Sequence, residues 1–314
     1  MRRTSDRSGR VVRRGFARRA GSVGALLGVV SLLGGCAPDG PTSVHQHNGG
    51  VSIGQPDEVI AGPQGRVPQF VVECAYSHAA QDDPIVWPGQ PGMSHLHVFF
   101  GSTETNASST TADLVAGDST CDNQRDRAAY WSPALMNGQE SIDPVKSTAY
   151  YRPGIGVDPQ IVNAFPEGFT MVAGNSAATE EQPVSIVAWG CGAGIERSAL
   201  PIDCGGERNL RLIVTFPDCW DGANLDSPDH HAHVAYSSKG VCPTSHPVPV
   251  LQLQFAVEYD WATDPTGLVL ASGGQHTGHA DFMNGWVQEV LETETRLCIH
   301  GEVVCGIASG RTDG

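Results

Sequence analysis

The stretch Ser94-His95-Leu96-His97-Val98-Phe99-Phe100-Gly101 sets two imidazoles one residue apart at the start of an apolar run. In an extended segment alternate side chains face opposite sides, so His95 and His97 point one way and Leu96 and Val98 the other. That is how two neutral nitrogen donors are presented together to a transition metal. Beyond residue 66 the histidines are 78, 95, 97, 230, 231, 233, 246, 276, 279 and 300, and most of them fall in four short clusters. The second cluster is Asp226-Ser227-Pro228-Asp229-His230-His231-Ala232-His233, the third the lone His246 in "CPTSHPVPV", and the fourth His276-Thr277-Gly278-His279-Ala280-Asp281.

If folding draws them together, His95, His97, His233 and His279 are the expected ligands of a divalent transition metal, zinc or copper, with one position left open for a substrate oxygen. Around them His230, His246, Asp229 and Asp281 are the acid–base positions, since a histidine oriented by a carboxylate can also work without a metal. Each cluster has a plainer reading. The histidines can be structural hydrogen-bonding groups, Asp229 can cap a polar loop, and Asp281 can cap a helix. No HExxH, GxSxG, P-loop or helix-opening GxGxxG occurs, so none of the common catalytic signatures decides the matter.

The elements that must position these residues are strands. Runs at 69–76, 95–100, 169–174, 184–190, 210–216, 233–237 and 250–259 are rich in β-branched and aromatic residues, alternate in polarity and end near Gly, Pro or Asp. One helix is expected from Asp281, as its N-cap, through "DFMNGWVQEVLETETR", with Phe282, Trp286, Val290 and Leu291 on one face and Gly285 weakening its first turn. With 38 Gly and 21 Pro the rest is loop-rich. The expected fold is mostly β: a single antiparallel β-sandwich or jelly-roll-like domain over residues 67–308, with long loops, one C-terminal helix and a tail at 309–314.

Eight arginines in the first 35 residues precede the uncharged "GSVGALLGVVSLLGG", the layout of an export signal, and Arg13-Arg14 followed by Phe16 resembles a twin-arginine motif. The run ends in Leu33-Gly34-Gly35-Cys36, similar to a lipobox, so residues 1–35 read as a lipoprotein signal and Cys36 as the lipidated residue. Residues 36–66, polar and rich in Gly and Pro, read as a tether. These expectations place the chain outside the cytoplasm, anchored by lipid to the outer face of the membrane.

Without residues 1–35 the chain keeps 11 basic and 33 acidic residues, about −22 without histidine. Such a surface repels nucleic acid, which is excluded as a partner. Beyond Cys36 eight cysteines remain, and in an exported chain an even number implies disulfides. Short loops close at lowest entropic cost, giving 74–121, 191–204, 219–242 and 298–305 as the expected pairs. Trp131, Trp220 and Trp286 are candidates to stack on sugars, though Trp220 beside Cys219 is more readily core; Asp82 and Asp83 before Pro84 read as turn formers.

Six segments occur together and in order: "DPIVWPGQPGMSHLHVFFG", "STCDNQRDRAAYWSPAL", "FPEGFTMVAG", "LRLIVTFPDCWDGANLDSPDHHAHVAY", "CPTSHPVPVLQLQFAVEY" and "GHADFMNGWVQEVL". This pattern, over roughly residues 83–305, resembles the family called domain of unknown function nineteen-ninety-six, of secreted fungal and GC-rich Gram-positive bacterial proteins. The resemblance matches His95, His97, Asp221, Asp229, His230, His233, His246, His279 and Asp281, but implies no catalytic role, because the family has no settled activity. His231 and His276 depart from the family's pattern. Fungal relatives joined to wall-binding modules imply, by association, a polysaccharide partner. The reading is therefore a lipid-anchored protein with a histidine-rich, metal-binding centre acting on a cell-wall or environmental polysaccharide. The alternative is a non-catalytic surface module that binds metal or glycan; the sequence decides neither enzyme status nor oligomeric state.

Overall fold

The computed structural model describes residues 67–306. The signal segment, Cys36, the tether and the 309–314 tail lie outside the described residues.

Ten strands form the main sheet: β1 (Gln69–Ala80), β2 (His97–Gly101), β3 (Ala129–Pro133), β4 (Pro144–Arg152), β5 (Thr170–Gly174), β6 (Val187–Cys191), β7 (Leu210–Thr215), β8 (Gln252–Tyr259), β9 (His279–Met283) and β10 (Val304–Cys305). Their order is β5-β9-β3-β2-β1-β4-β8-β7-β6, antiparallel throughout, with β10 adding in parallel to the start of β1. β1 is shared: Phe70–Ala75 pair with β4, and after a register shift between Tyr76 and His78 its remainder pairs with β2. Such a bulge bends a strand, so β1 turns from one half of the sheet into the other.

The two halves face each other across an aromatic core. Tyr130 of β3 stacks on Phe255 of β8 with ring centroids 5.4 Å apart, and Phe100 meets the same ring edge-on at 5.7 Å. Two three-stranded ribbons complete the β structure, one from 219–220, 234–235 and 248–249, the other from 135–137, 140–142 and 268–270. The expected antiparallel, sandwich-like fold is thus what the chain adopts, and all four expected disulfides are present: 74–121, 191–204, 219–242 and 298–305.

The helix is where expectation and structure part. Asp281 caps nothing; it lies inside β9, paired with Trp131 and Val172. α1 is a short helix at Thr111–Ala116, and the C-terminal α2 covers only Gln288–Glu294 before widening into a π turn, Thr295–Ile299. Gly285 explains the delay. A Cβ there would sit 2.4 Å from the Arg127 carbonyl oxygen, so the chain still hugs its neighbour at that point and cannot yet coil. The run 233–237 likewise yields only the two-residue strand Val234–Ala235.

Beneath α2 lies a buried polar network. The Tyr130 hydroxyl donates to Asp126 Oδ2 at 2.6 Å, Tyr130 and Tyr151 hydroxyls touch, and Trp286 Nε1 donates to the Tyr151 hydroxyl at 3.0 Å. Burial pushes the Asp126 carboxyl up to about 8, against the lowering effect of its hydrogen bonds. The folded protein therefore holds a proton that the unfolded chain releases above about pH 4, so this group's stabilisation fades as pH rises toward 8. Asp126→Asn, which cannot ionise, is expected to gain stability relative to the wild type as pH goes from about 5 to about 8. Urea midpoints at the two pH values check it, and a difference that does not move with pH rejects it.

Candidate metal centre

Register brings the first two ligands together. His97 pairs with Pro133, and the antiparallel β3–β9 register, in which Asp281 faces Trp131, sets His279 beside Pro133 from the other side. Two imidazoles thus flank a residue too short to separate them, and they close over it with ring centroids 5.7 Å apart. His95, just before β2, shares the face of His97 as alternation requires, its ring 4.2 Å from that of His97 and 5.0 Å from that of His279. Gly174, paired with His279, has φ +83°; a Cβ there would lie 2.5 Å from the Gly278 carbonyl oxygen and 2.8 Å from His279 Cα. Only glycine lets the β5 edge come that close.

The hydrogen bonds fix which nitrogens are free. His97 Nδ1 is 3.0 Å from the Asp82 carbonyl oxygen and His279 Nδ1 is 2.8 Å from that of Thr277. A carbonyl only accepts, so each Nδ1 carries the proton and each Nε2 presents a lone pair, the arrangement backbone carbonyls impose on metal-bound histidines. Burial lowers both rings, His279 to about 3 and His97 well below its ordinary value, so both stay neutral and need shed no proton to bind an ion. His97 Nε2 is buried with no hydrogen-bond partner among the described residues. An orphan of this kind costs about 1–3 kcal/mol and calls for an explanation. His95 Nε2 lies 3.2 Å from His279 Nε2. Two nitrogens bound at 2.0–2.1 Å to a tetrahedral ion would stand roughly 3.3 Å apart. Donor atoms of His95, His97 and His279 all lie within 4.8 Å of one another, so the three can hold one metal ion.

The centre sits on the outer face of the β5-β9-β3-β2 half. In the next row of that face come Phe99, Trp131, Asp281 and Val172, packed with Ile85, Leu114 and Met283. Asp281 is 1% exposed, and neither carboxylate oxygen has a hydrogen-bond partner among the described residues. Burial, and then the charge of Asp83, push it well above the carboxylate range. Asp83, itself raised by burial, does form the expected turn, accepting from the Ile85 and Val86 amides at 3.0 and 2.9 Å. Its buried place opposite Asp281 had no sequence signal, because the turn accounts for the residue fully.

The remaining expected residues do not reach the ion site. His233, expected as a ligand, is buried on the far side of β5, with Nε2 2.7 Å from the Thr170 carbonyl oxygen and Nδ1 3.0 Å from Ser227 Oγ. With both nitrogens occupied it is a staple for the 225–233 loop, which also bonds β5 through Thr170 and Val172 amides. His246 Nε2, 3.0 Å from the Ala232 carbonyl oxygen, fixes the same loop from outside. Asp229 caps the His231 and Ala232 amides at 3.2 and 2.8 Å, which holds its carboxyl low, the behaviour of a turn residue. His230, in the left-handed region at φ 59°, has Nδ1 3.0 Å from both Asp226 oxygens. The His230 carbonyl nonetheless accepts from the Val172 amide at 3.3 Å, so the loop's tip borders the strand that flanks the centre. Asp221 caps the Ala223 and Asn224 amides. Trp131 and Trp286 are buried, which removes them as sugar platforms; Trp87, on the loop leading to His95, is 38% exposed.

No curated protein and no solved structure matches the chain. A family model does, over residues 83–286, which span the loop before His95, all four strands of the outer face and the three converging histidines. The chain belongs to the family described as domain of unknown function (DUF1996).

Proposed function

We propose that this is an extracytoplasmic protein, lipid-anchored through Cys36, whose His95–His97–His279 centre holds zinc or copper and acts on a cell-wall or environmental polysaccharide. The observation that carries the reading is the convergence of one ring nitrogen from each of His95, His97 and His279, with the tautomers of His97 and His279 fixed by backbone carbonyls. Neutral imidazoles without thiolate suit zinc or copper. Such an ion supplies Lewis acidity or redox chemistry at its open position. The chain's own residues do the rest. His97 and His279 are held rigid by strands, His95 is partly exposed and marks the side of access, and Asp281, its carboxyl raised by burial, lies two residues from His279. The exposed indole of Trp87 offers a face on which a pyranose ring stacks. Four disulfides suit an oxidising compartment.

One observation favours a non-catalytic alternative. His97 and His279 are almost fully buried, while His95 belongs to a loop, so an ion would also clip that loop to the sheet. The test is elemental analysis of untagged full-length protein, followed by incubation with wall polysaccharides in the presence of zinc or copper. One equivalent of metal with released oligosaccharides supports the enzyme. Metal with saturable glycan binding and no release supports the module. Protein that takes up no metal from micromolar zinc or copper overturns both.

A further inference from the structure

The other half of the sheet carries a second constellation on its outer face. Alternation along β4 puts Tyr150 and Arg152 on that face, and the β8 register sets Gln254 beside Tyr150 and Ala256 beside Thr148. Across β8, Ala256 meets Ile213 and Glu258 meets Arg211. The small Ala256 leaves the middle of this face low. With segments 153–157 and 192–197 standing around it, a cleft of about 610 Å³ results. Arg152, Arg197 and Arg211 line it, and among the described residues no carboxylate does.

The three guanidiniums are not equivalent. Arg211 is paired with Glu258, donating from Nε at 2.8 Å. Among the described residues Arg197 donates only to the Gly194 and Glu196 carbonyls, both at 2.9 Å, and meets no carboxylate. Arg152 is half-buried and makes no hydrogen bond or ion pair among the described residues, and burial followed by the charge of Arg197 lowers its proton affinity. Arg152, half-buried, and Arg197, exposed at the rim, are like charges lining one cleft, and a planar guanidinium fork is shaped for a two-oxygen anion. The mature chain's excess of about 22 negative charges makes this a local exception, set against the field of the whole surface. At the mouth stand Ile155 and Ile195, 84% and 70% exposed, giving the cleft an apolar lip.

We propose that this cleft binds the oxyanion of a small organic acid or phosphate ester between Arg152 and Arg197, with the ligand's uncharged body against Tyr150, Ile155 and Ile195. The site lies on the opposite half of the sheet from the histidines and does not depend on the metal.

Isothermal titration of the full chain at low ionic strength tests it, with galacturonate, glucose 6-phosphate, inorganic phosphate and neutral galactose as probes. At least one anion binds and galactose does not; galacturonate alone identifies a carboxylate ligand, glucose 6-phosphate alone a phosphate ester. Arg152→Gln and Arg197→Gln each weaken binding by about tenfold or more, the loss expected for one charge-assisted contact. Arg152→Lys, which keeps the charge without the fork, falls between, and His97→Ala leaves the affinity unchanged. Matching thermal midpoints certify the folds. No heat from any of the three anions, or wild-type affinity in the Arg152→Gln, Arg197→Gln double variant, overturns the proposal.

Discussion

His97→Ala is expected to lower zinc or copper affinity by roughly a hundredfold or more, since changes merely behind a ligand already cost ten- to a hundredfold. His97 is the sharpest of the three because its Nε2 has no other partner among the described residues and its Nδ1 is held by the Asp82 carbonyl. His279→Ala should do the same. His95→Ala removes a ligand that is only partly buried, so it separates loss of metal from loss of fold. His233→Ala is the informative contrast. It breaks two hydrogen bonds and empties a buried site beside Phe169, at a cost of about 2–4 kcal/mol, yet should leave one metal per chain. Metal content by elemental analysis and stability by urea unfolding read the two effects separately. Full metal stoichiometry in His97→Ala, or its loss in folded His233→Ala, rejects the assignment.

That contrast shows what the sequence could and could not convey. Period-two alternation predicted that His95 and His97 share a face, and they do. The same rule gave His279 and Asp281 a common side once both lay in a strand, but Asp before an amphipathic run also looks like a helix cap. Pairing of β9 with β3 and β5 overrode that local preference. His233 was indistinguishable from a ligand because a donor's spacing does not reveal which carbonyl it will meet. Only the docking of the 225–233 loop against β5 puts the Thr170 carbonyl within 2.7 Å of its ring. The arginine cleft was silent for a related reason, since its floor is assembled by register between strands far apart in the chain, whereas Asp83 was hidden by the turn that already explained it. Disulfides were the most legible feature, since loop-closure entropy depends on sequence separation itself.

The two faces also differ in how charge is handled. On the histidine face, burial works against charge, lowering His97 and His279 and raising the Asp281 carboxyl. On the arginine face the groups remain cationic at any ordinary pH, so charge persists and is left for a ligand to neutralise. A neutral donor set attracts a cation and an unmatched cationic cleft attracts an anion, which is why the two sites can be titrated independently on one small domain.

Removing the Cys74–Cys121 disulfide is expected to cost the most stability of the four cross-links. It closes 47 residues, for which chain entropy gives about 4 kcal/mol, against about 2 kcal/mol for Cys298–Cys305, which closes 7. Out of the 5–15 kcal/mol that holds a typical domain together, that is a large share. Position adds to the effect. Cys74 lies just before the bend of β1, and residues 120–122 run beside it through bonds from Ala75 N to the Thr120 carbonyl and from Asp122 N to that of Glu73. The enclosed loop also carries Leu114 of α1, which packs with Phe99 and Trp131 behind the metal centre. The Cys74→Ala, Cys121→Ala variant should therefore show a lower urea midpoint than Cys298→Ala, Cys305→Ala. With metal bound its deficit should persist, because the cross-link acts mainly on the unfolded chain and the ion on the folded one. Equal midpoints in the two double variants would mean that the unfolded chain is already restrained across residues 74–121, and the entropic account would fail.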